Sequence, residues 1–384
     1  MSNLTNFASL TDEQKTVWAK DFWAFARRNS FINKFAGSGH NALVQRVTNL
    51  TKSEKGARAV LTLVADLRND GITGDNWMEG NEEAMKAFDT VINIDQLRNA
   101  VRNEGRLAEQ KSVVGFREQA RDRLGYWIAD KVDELAFLTM SSVGYGVHTN
   151  GAARAVIATA GHNLTDLEFA PGHAMSKNVI GPTANRAVYV GTGGDITSGT
   201  GYDAPDAGLG SLTYKTILRL KAKAKDEYIR GIRSGSDEIF HMFVTPTGMA
   251  DLKLDPDFIA NVRHAGVRGD KNSLFAGTNS VMVDGVIIHE FRHVFTNTGA
   301  ADGDRFGTTT GNTNGQRALF CGAQSLGMAD IGNAYWDEDY FDYNNQPGIS
   351  VGKMFGFLKP QFLGNPLRYN TKEDFGIITV DTAI

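Results

Sequence analysis

Apolar residues recur at helical spacing in some stretches of the chain and alternate with period two in others, and the change of period marks out its elements. Thr11-Asp12-Glu13-Gln14 opens a first helix in which Val17, Trp18, Phe22 and Phe25 recur at helical spacing, with Arg27 and Arg28 near its end. No compact unit neighbours it in the sequence, so this helix is expected to lie apart from the body. From Lys55 the period becomes two. Ala57 to Asp66 and Ala87 to Asp95 read as strands, and the turn residues Asn69-Asp70-Gly71 and Thr73-Gly74-Asp75-Asn76 between them predict a long hairpin with an extended tip. Trp77 and Met78 stand at that tip beside Glu79, Glu82 and Glu83, with little nearby sequence to bury them. An aromatic side chain on an outstretched hairpin points to a partner surface.

Between Gly115 and Met140 the helical period holds without a break. Phe116, Ala120, Leu124, Trp127 or Ile128, Leu135 and Leu138 form one stripe, while Arg117, Arg121, Asp130 and Glu134 form the other face. At about 1.5 Å per residue this helix is a rod of about 39 Å. A glycine-dense stretch from Ser141 to Gly210 follows, with a short strand at Ala187-Val188-Tyr189-Val190. Tyr214 to Tyr228 is a second helix whose Lys215, Arg219, Lys221, Lys223 and Lys225 predict a solvated or inter-subunit face. A buried strand from Ile239 to Thr245 stops at Pro246, because proline cannot continue a sheet ladder. Ser280 to Val283 and Val286 to Ile288 flank the turn pair Asp284-Gly285, and the second of these strands is expected to run on toward Val294 and Phe295. Asn297 to Gln316, rich in Gly, Asn, Thr and Asp, predicts a mobile surface loop. The tail alternates turns and strands and closes on Phe375 to Val380, and no repeat of fixed period occurs.

His289-Glu290-Phe291-Arg292-His293 spells H-E-x-x-H, which makes a zinc hydrolase only on a helix, where both imidazoles share one face. The strand context places the two histidines about 13 Å apart, too far for one ion. Gly191-Thr192-Gly193-Gly194 lacks the following Gly-Lys-Ser/Thr of a phosphate loop, and Asp302-Gly303-Asp304 and Asp337-Glu338-Asp339 with Asp342 fit no calcium loop, so the acidic groups read as surface. No Gly-x-Ser-x-Gly elbow is present. These readings assign no catalytic, cofactor or metal site. Bulk properties are those of an ordinary globular protein with room for two or three cores, at 384 residues, 41% apolar and 22% charged. A formal charge of −4 argues against a protein built to grip nucleic acid, and any DNA contact is expected to be weak. Cys321 alone supports no disulfide framework and reads as a small buried residue. Neither a signal peptide nor a membrane span is legible, which points to a reducing cytoplasm.

The order of elements, an arm, an outstretched hairpin, a very long helix and a mixed body closed by strands, resembles the HK97-like major capsid proteins of tailed phages. The resemblance is carried by Arg27-Arg28-Asn29-Ser30-Phe31, Asp75 to Glu83, Ile94-Asp95-Gln96-Leu97-Arg98, Asp342 to Ile349 and Asp374-Phe375-Gly376-Ile377-Ile378, and is nearest to the capsid proteins of N4-type phages. It implies an α+β fold with an N-terminal arm over 1–50, an extended loop over 51–110, a peripheral domain with the spine helix over 111–210 completed by 343–384, and an axial domain over 211–342. It further implies an icosahedral shell of hexamers and pentamers around double-stranded DNA, with no catalysis. The implied partners are the chain itself, a separate scaffolding protein, a portal protein, a decoration protein and weakly held DNA, but no membrane. Assembly in the host bacterial cytoplasm, incorporation into the virion and an inter-subunit contact at Trp77, Met78 and Glu79 follow from the same resemblance. Two other readings are weighed against it: an encapsulin-like compartment, and a zinc metallohydrolase using His289, Glu290 and His293.

Overall fold

Two β-sheets share one core with a long helix, and a separate hairpin rests on the edge of that assembly. The computed structural model describes residues 22–47, 56, 58–64, 67, 70–84, 87–112, 115–154, 174–205, 208–265, 280–308, 311–363 and 371–384. The expected start of the first helix at Thr11, with Val17 and Trp18, lies outside the described residues.

The five-stranded sheet runs in the order Ala36–Gly37, Val44–Val47, Leu326–Phe341, Gln346–Leu358 and Asp95–Arg102. Its two central strands span 16 and 13 residues. The eight-stranded sheet runs Ser280–Val283, Val286–Glu290, Asp237–Val244, Gly315–Cys321, Ile377–Ala383, Ala187–Val190 and Ile196–Ser198, with Ile232–Ser234 beside Asp237–Val244. Every residue of Gly315–Cys321 is buried, as a central strand covered on both faces requires. Ile377–Ala383 lies inside the eight-stranded sheet, while Leu326–Phe341 centres the five-stranded one.

The long helix spans Phe116–Met140. In its first half only one stripe is buried, through Ala120, Leu124 and Ile128, but every residue from Val132 onward is buried. That corrects the expected polar face at Glu134: this end of the helix packs among side chains of both sheets, including Phe243, Leu319, Met328 and Phe355. Glu134 tolerates burial because it is paired with Lys131 at 2.5 Å and Arg154 at 2.7 Å.

Residues 22–29 are helical, and their position also corrects the sequence reading. Phe22, Trp23 and Ala26 are buried in the main core rather than lying apart, because the long helix supplies the apolar face their stripe needs. The two helices approach closely at Gly125, where a Cβ would sit 2.7 Å from Phe25 Cδ1.

Arg58–Val64 and Ala87–Asn93 pair as the expected antiparallel hairpin, with Arg58 opposite Asn93 and Val64 opposite Ala87. Ala59, Leu61 and Ile92 are buried against Ala329, Leu358 and Phe362, which seats the base of the hairpin on the five-stranded sheet. Asp284 and Gly285 turn with φ of 44° and 77°, the left-handed pair of a type I′ hairpin. The strand after that turn ends at Glu290 instead of running to Phe295. Its parallel partner ends at Val244, where Phe291 N makes one last bond to the Val244 carbonyl, so no ladder remains to be joined.

Segment 297–316 is likewise not a bare surface loop. Phe306 is fully buried with Ala204 and Leu209, and the Asn297 side chain closes the loop base by donating to Thr313 O at 3.0 Å and accepting from Gly315 N at 2.7 Å.

Candidate assembly surfaces

The hairpin tip is held by its own short-range hydrogen bonds. Asn76 Nδ2 donates to Thr73 O at 2.7 Å, Asn81 N to Met78 O at 3.0 Å, and Gly80 N to Glu82 Oε2 at 2.8 Å. Gly71, Gly74 and Gly80 supply positive φ at the bends, which glycine adopts without strain. Nothing in this local scaffold covers the apolar side chains. Trp77 is 77% exposed and Met78 63%, with Glu79 beside them, so the three residues singled out in the sequence stand together at the end of the hairpin. Farther down, Val60 and Val91 face each other across the ladder and are both exposed.

A second tip was not legible as a site in the sequence. The two longest strands are joined by Asp342-Tyr343-Asn344-Asn345, and Tyr343 is wholly exposed. Asp342, Tyr343 and Asn344 all take positive φ, at 52°, 48° and 67°. Arg102 lies over the Phe341 ring at 5.3 Å just below this turn. Turn residues in the sequence announce the bend, but exposure of a tyrosine is a property of the fold.

The H-E-x-x-H residues go to two separate places. His289 Nε2 faces His241 Nδ1 at 2.9 Å, with the rings stacked at an interplanar angle of 14°. Phe31, Phe35 and Phe243 close around that pair, and burial together with the neighbouring His241 brings the His289 pKa down to about 4. His293 Nε2 instead meets Asp130 Oδ1 at 2.9 Å, where Arg292 also pairs with the same carboxylate. The hydrogen bond to His293 outweighs burial and holds the Asp130 carboxyl below its ordinary range. Among the described residues no group of three His, Cys, Asp or Glu side chains converges as a metal site.

The other candidate motifs also resolve into packing. Lys215 Nζ donates to Gly193 O at 3.0 Å, so the glycine run presents carbonyls to cations rather than amides to a phosphate. Much of the basic helix Tyr214–Asp226 is turned to acids of its own chain: Lys215 and Arg219 pair with Asp195, and Lys221 with Asp284. Asp337 and Asp339 are exposed strand residues, in keeping with an acidic surface. Cys321 is fully buried, and burial pushes its thiol up to about 12.

One junction missed in the sequence ties the N-terminal segment to the long helix. Asp133 accepts hydrogen bonds from Ser30 Oγ at 2.7 Å, Phe31 N at 2.7 Å and Ile32 N at 3.0 Å. Burial raises its pKa, and these three donors oppose the shift. A helix carboxylate is legible in the sequence, but its partners about 100 residues away are not.

Two shared sheets, a long helix beneath a buried arm and a seated hairpin with a bare aromatic tip define the HK97-like capsid fold. Solved structures agree: the capsid of Ralstonia phage GP4 aligns with a TM-score of 0.69 at 24% identity, covering 92% of this chain and 90% of that one. The capsid of cyanophage Pam1 aligns with a TM-score of 0.65 at 17% identity, covering 100% and 98%. The profile of the family described as phage capsid protein matches residues 6–384. A major capsid protein of Pseudomonas phage KPP25 is 49% identical over 389 residues, covering 99% of this chain and 98% of that relative. The chain belongs to the phage capsid protein family and is a subunit of a phage capsid shell.

Proposed function

We propose that copies of this chain close into an icosahedral shell of hexamers and pentamers around double-stranded DNA, with Trp77, Met78 and Glu79 as a contact between neighbouring subunits. The observation that carries this reading is the hairpin tip, whose two large apolar side chains are exposed on a scaffold held by its own short-range hydrogen bonds. Such a patch gains by burial on another molecule, and a repeating lattice offers the same neighbour to every copy. The subunit performs no catalytic step. A separate scaffolding protein, a portal protein and a decoration protein are its further partners, and assembly takes place in the host cytoplasm. The net charge of −4 suits packaged DNA that touches the shell only weakly.

Negative-stain microscopy of the expressed chain, alone and with the other head proteins, tests this reading. Trp77→Ala with Met78→Ala should leave the circular dichroism and melting of the subunit almost unchanged while strongly reducing shell formation. A buried aromatic anchor is typically worth about 2 kcal/mol or more at each interface. Equal damage to subunit melting would place the tip in an internal core, and normal shells would remove it from the contact.

A further inference from the structure

The turn joining the two longest strands runs against the preference of its central residue. Asp342, Tyr343 and Asn344 all adopt left-handed backbone, with φ of 52°, 48° and 67°. Asp and Asn enter that region readily, whereas a bulky aromatic residue does so under strain. The bonds that hold the turn do not need the tyrosine ring: Asn345 N donates to Asp342 O at 2.9 Å, and Arg106 N to Asn345 Oδ1 at 3.3 Å. Glycine at position 343 would close the same turn without strain. Among the described residues the ring also packs against nothing in its own subunit. It is wholly exposed and makes no hydrogen bond or ring contact among the described residues.

We infer that Tyr343 anchors a second contact between copies of this chain, in which the tip of this hairpin docks against another subunit. Charge identifies the occupant. Asp339 and Arg102 lie in one row across Gly348 of the strand between them, Arg106 follows at the turn, where its N donates to Asn345, and Asp342 accepts from Asn345 Nδ2; all four charged side chains are exposed. A surface carrying both signs a few residues apart is complementary to itself, so two copies meeting there pair acid with base around the aromatic rings. The neighbouring Phe341, 43% exposed, extends the apolar centre of that patch. The inference rests on the shell reading above and adds a contact distinct from the Trp77 tip.

Strain gives the test its direction. Tyr343→Gly relieves the left-handed backbone, so the isolated subunit should melt at a higher temperature than the unaltered chain. The same substitution removes the anchor, so the yield of closed particles, counted after co-expression with the other head proteins, should fall at least tenfold. Tyr343→Phe keeps the ring and should restore particles to near the unaltered yield. Particles from Tyr343→Gly in undiminished number would overturn the contact, as would a melting temperature lowered in step with the particle yield. Absence of particles from the unaltered chain would instead count against the shell reading itself.

Discussion

His241 and His289 are poised at one hydrogen bond, and their chemistry fixes a pH response for the subunit. With Nδ1 and Nε2 facing at 2.9 Å, one ring donates while the other accepts, so the pair is held neutral within its aromatic surround. Burial lowers the pKa of both, that of His289 to about 4, from an ordinary 6.5. The folded chain then binds fewer protons than the unfolded chain between those limits. The pair's contribution is complete above about pH 6.5 and is lost as the pH falls toward 4. Melting of the unassembled subunit should therefore decline across that window. His241→Phe with His289→Phe replaces both polar partners by apolar rings of similar shape, a change that is often nearly neutral at pH 7. That variant should flatten the decline, and an unaltered slope would assign it to other groups.

The decisive packing between elements is the crossing of helix 22–29 over Phe116–Met140. Gly125 makes room for the Phe25 ring, which also meets Tyr126 edge-on at 5.2 Å between centroids. Gly125→Ala would gain about 1 kcal/mol of helix propensity on its own. Forcing a Cβ against a packed ring costs about 1–3 kcal/mol, so the single variant should lose stability. Combined with Phe25→Ala, the loss should fall short of the sum of the two singles by about 1 kcal/mol, because the clash and the ring disappear together. Additive losses in a thermal double-mutant cycle would mean that the helices do not press on each other there. Periodicity alone revealed the long helix and the described turns of the first, residues 22–29. It could not reveal that they pack on one another: Phe22 and Leu124 are distant in sequence, and contacts of that span leave no local trace. For the same reason Glu134 read as polar surface, and the Asp133 junction stayed hidden. Strand Leu326–Phe341 escaped notice because Asp330, Asp337, Glu338 and Asp339 are residue types that strands disfavour. The candidate site divides along the same line. Trp77 is legible because turn residues surround it, whereas the exposure and the φ of Tyr343 are set by the fold.

On the scale of the whole molecule, the order in which the strands enter the eight-stranded sheet matters more than their number. Ile377–Ala383 lies between Gly315–Cys321, which it meets antiparallel, and Ala187–Val190, which it meets parallel. Without it the sheet is two unjoined parts, one built from 187–198 and the other from 232–321. Buried Arg317 also waits on this strand, since its guanidinium binds the Asp381 carboxylate at 2.8 Å through both Nε and Nη2. A chain stopped at Gly376 would leave that cation unpaired in the core, a defect worth about 3–5 kcal/mol before the lost ladder is counted. Such a fragment is expected to be insoluble or rapidly degraded, and recovery of a soluble fragment with native circular dichroism would contradict this. During synthesis the consequence is one of timing. Among the described strands of this sheet the joining strand is the last in chain order, so a subunit lacking it has no completed body to offer a growing shell.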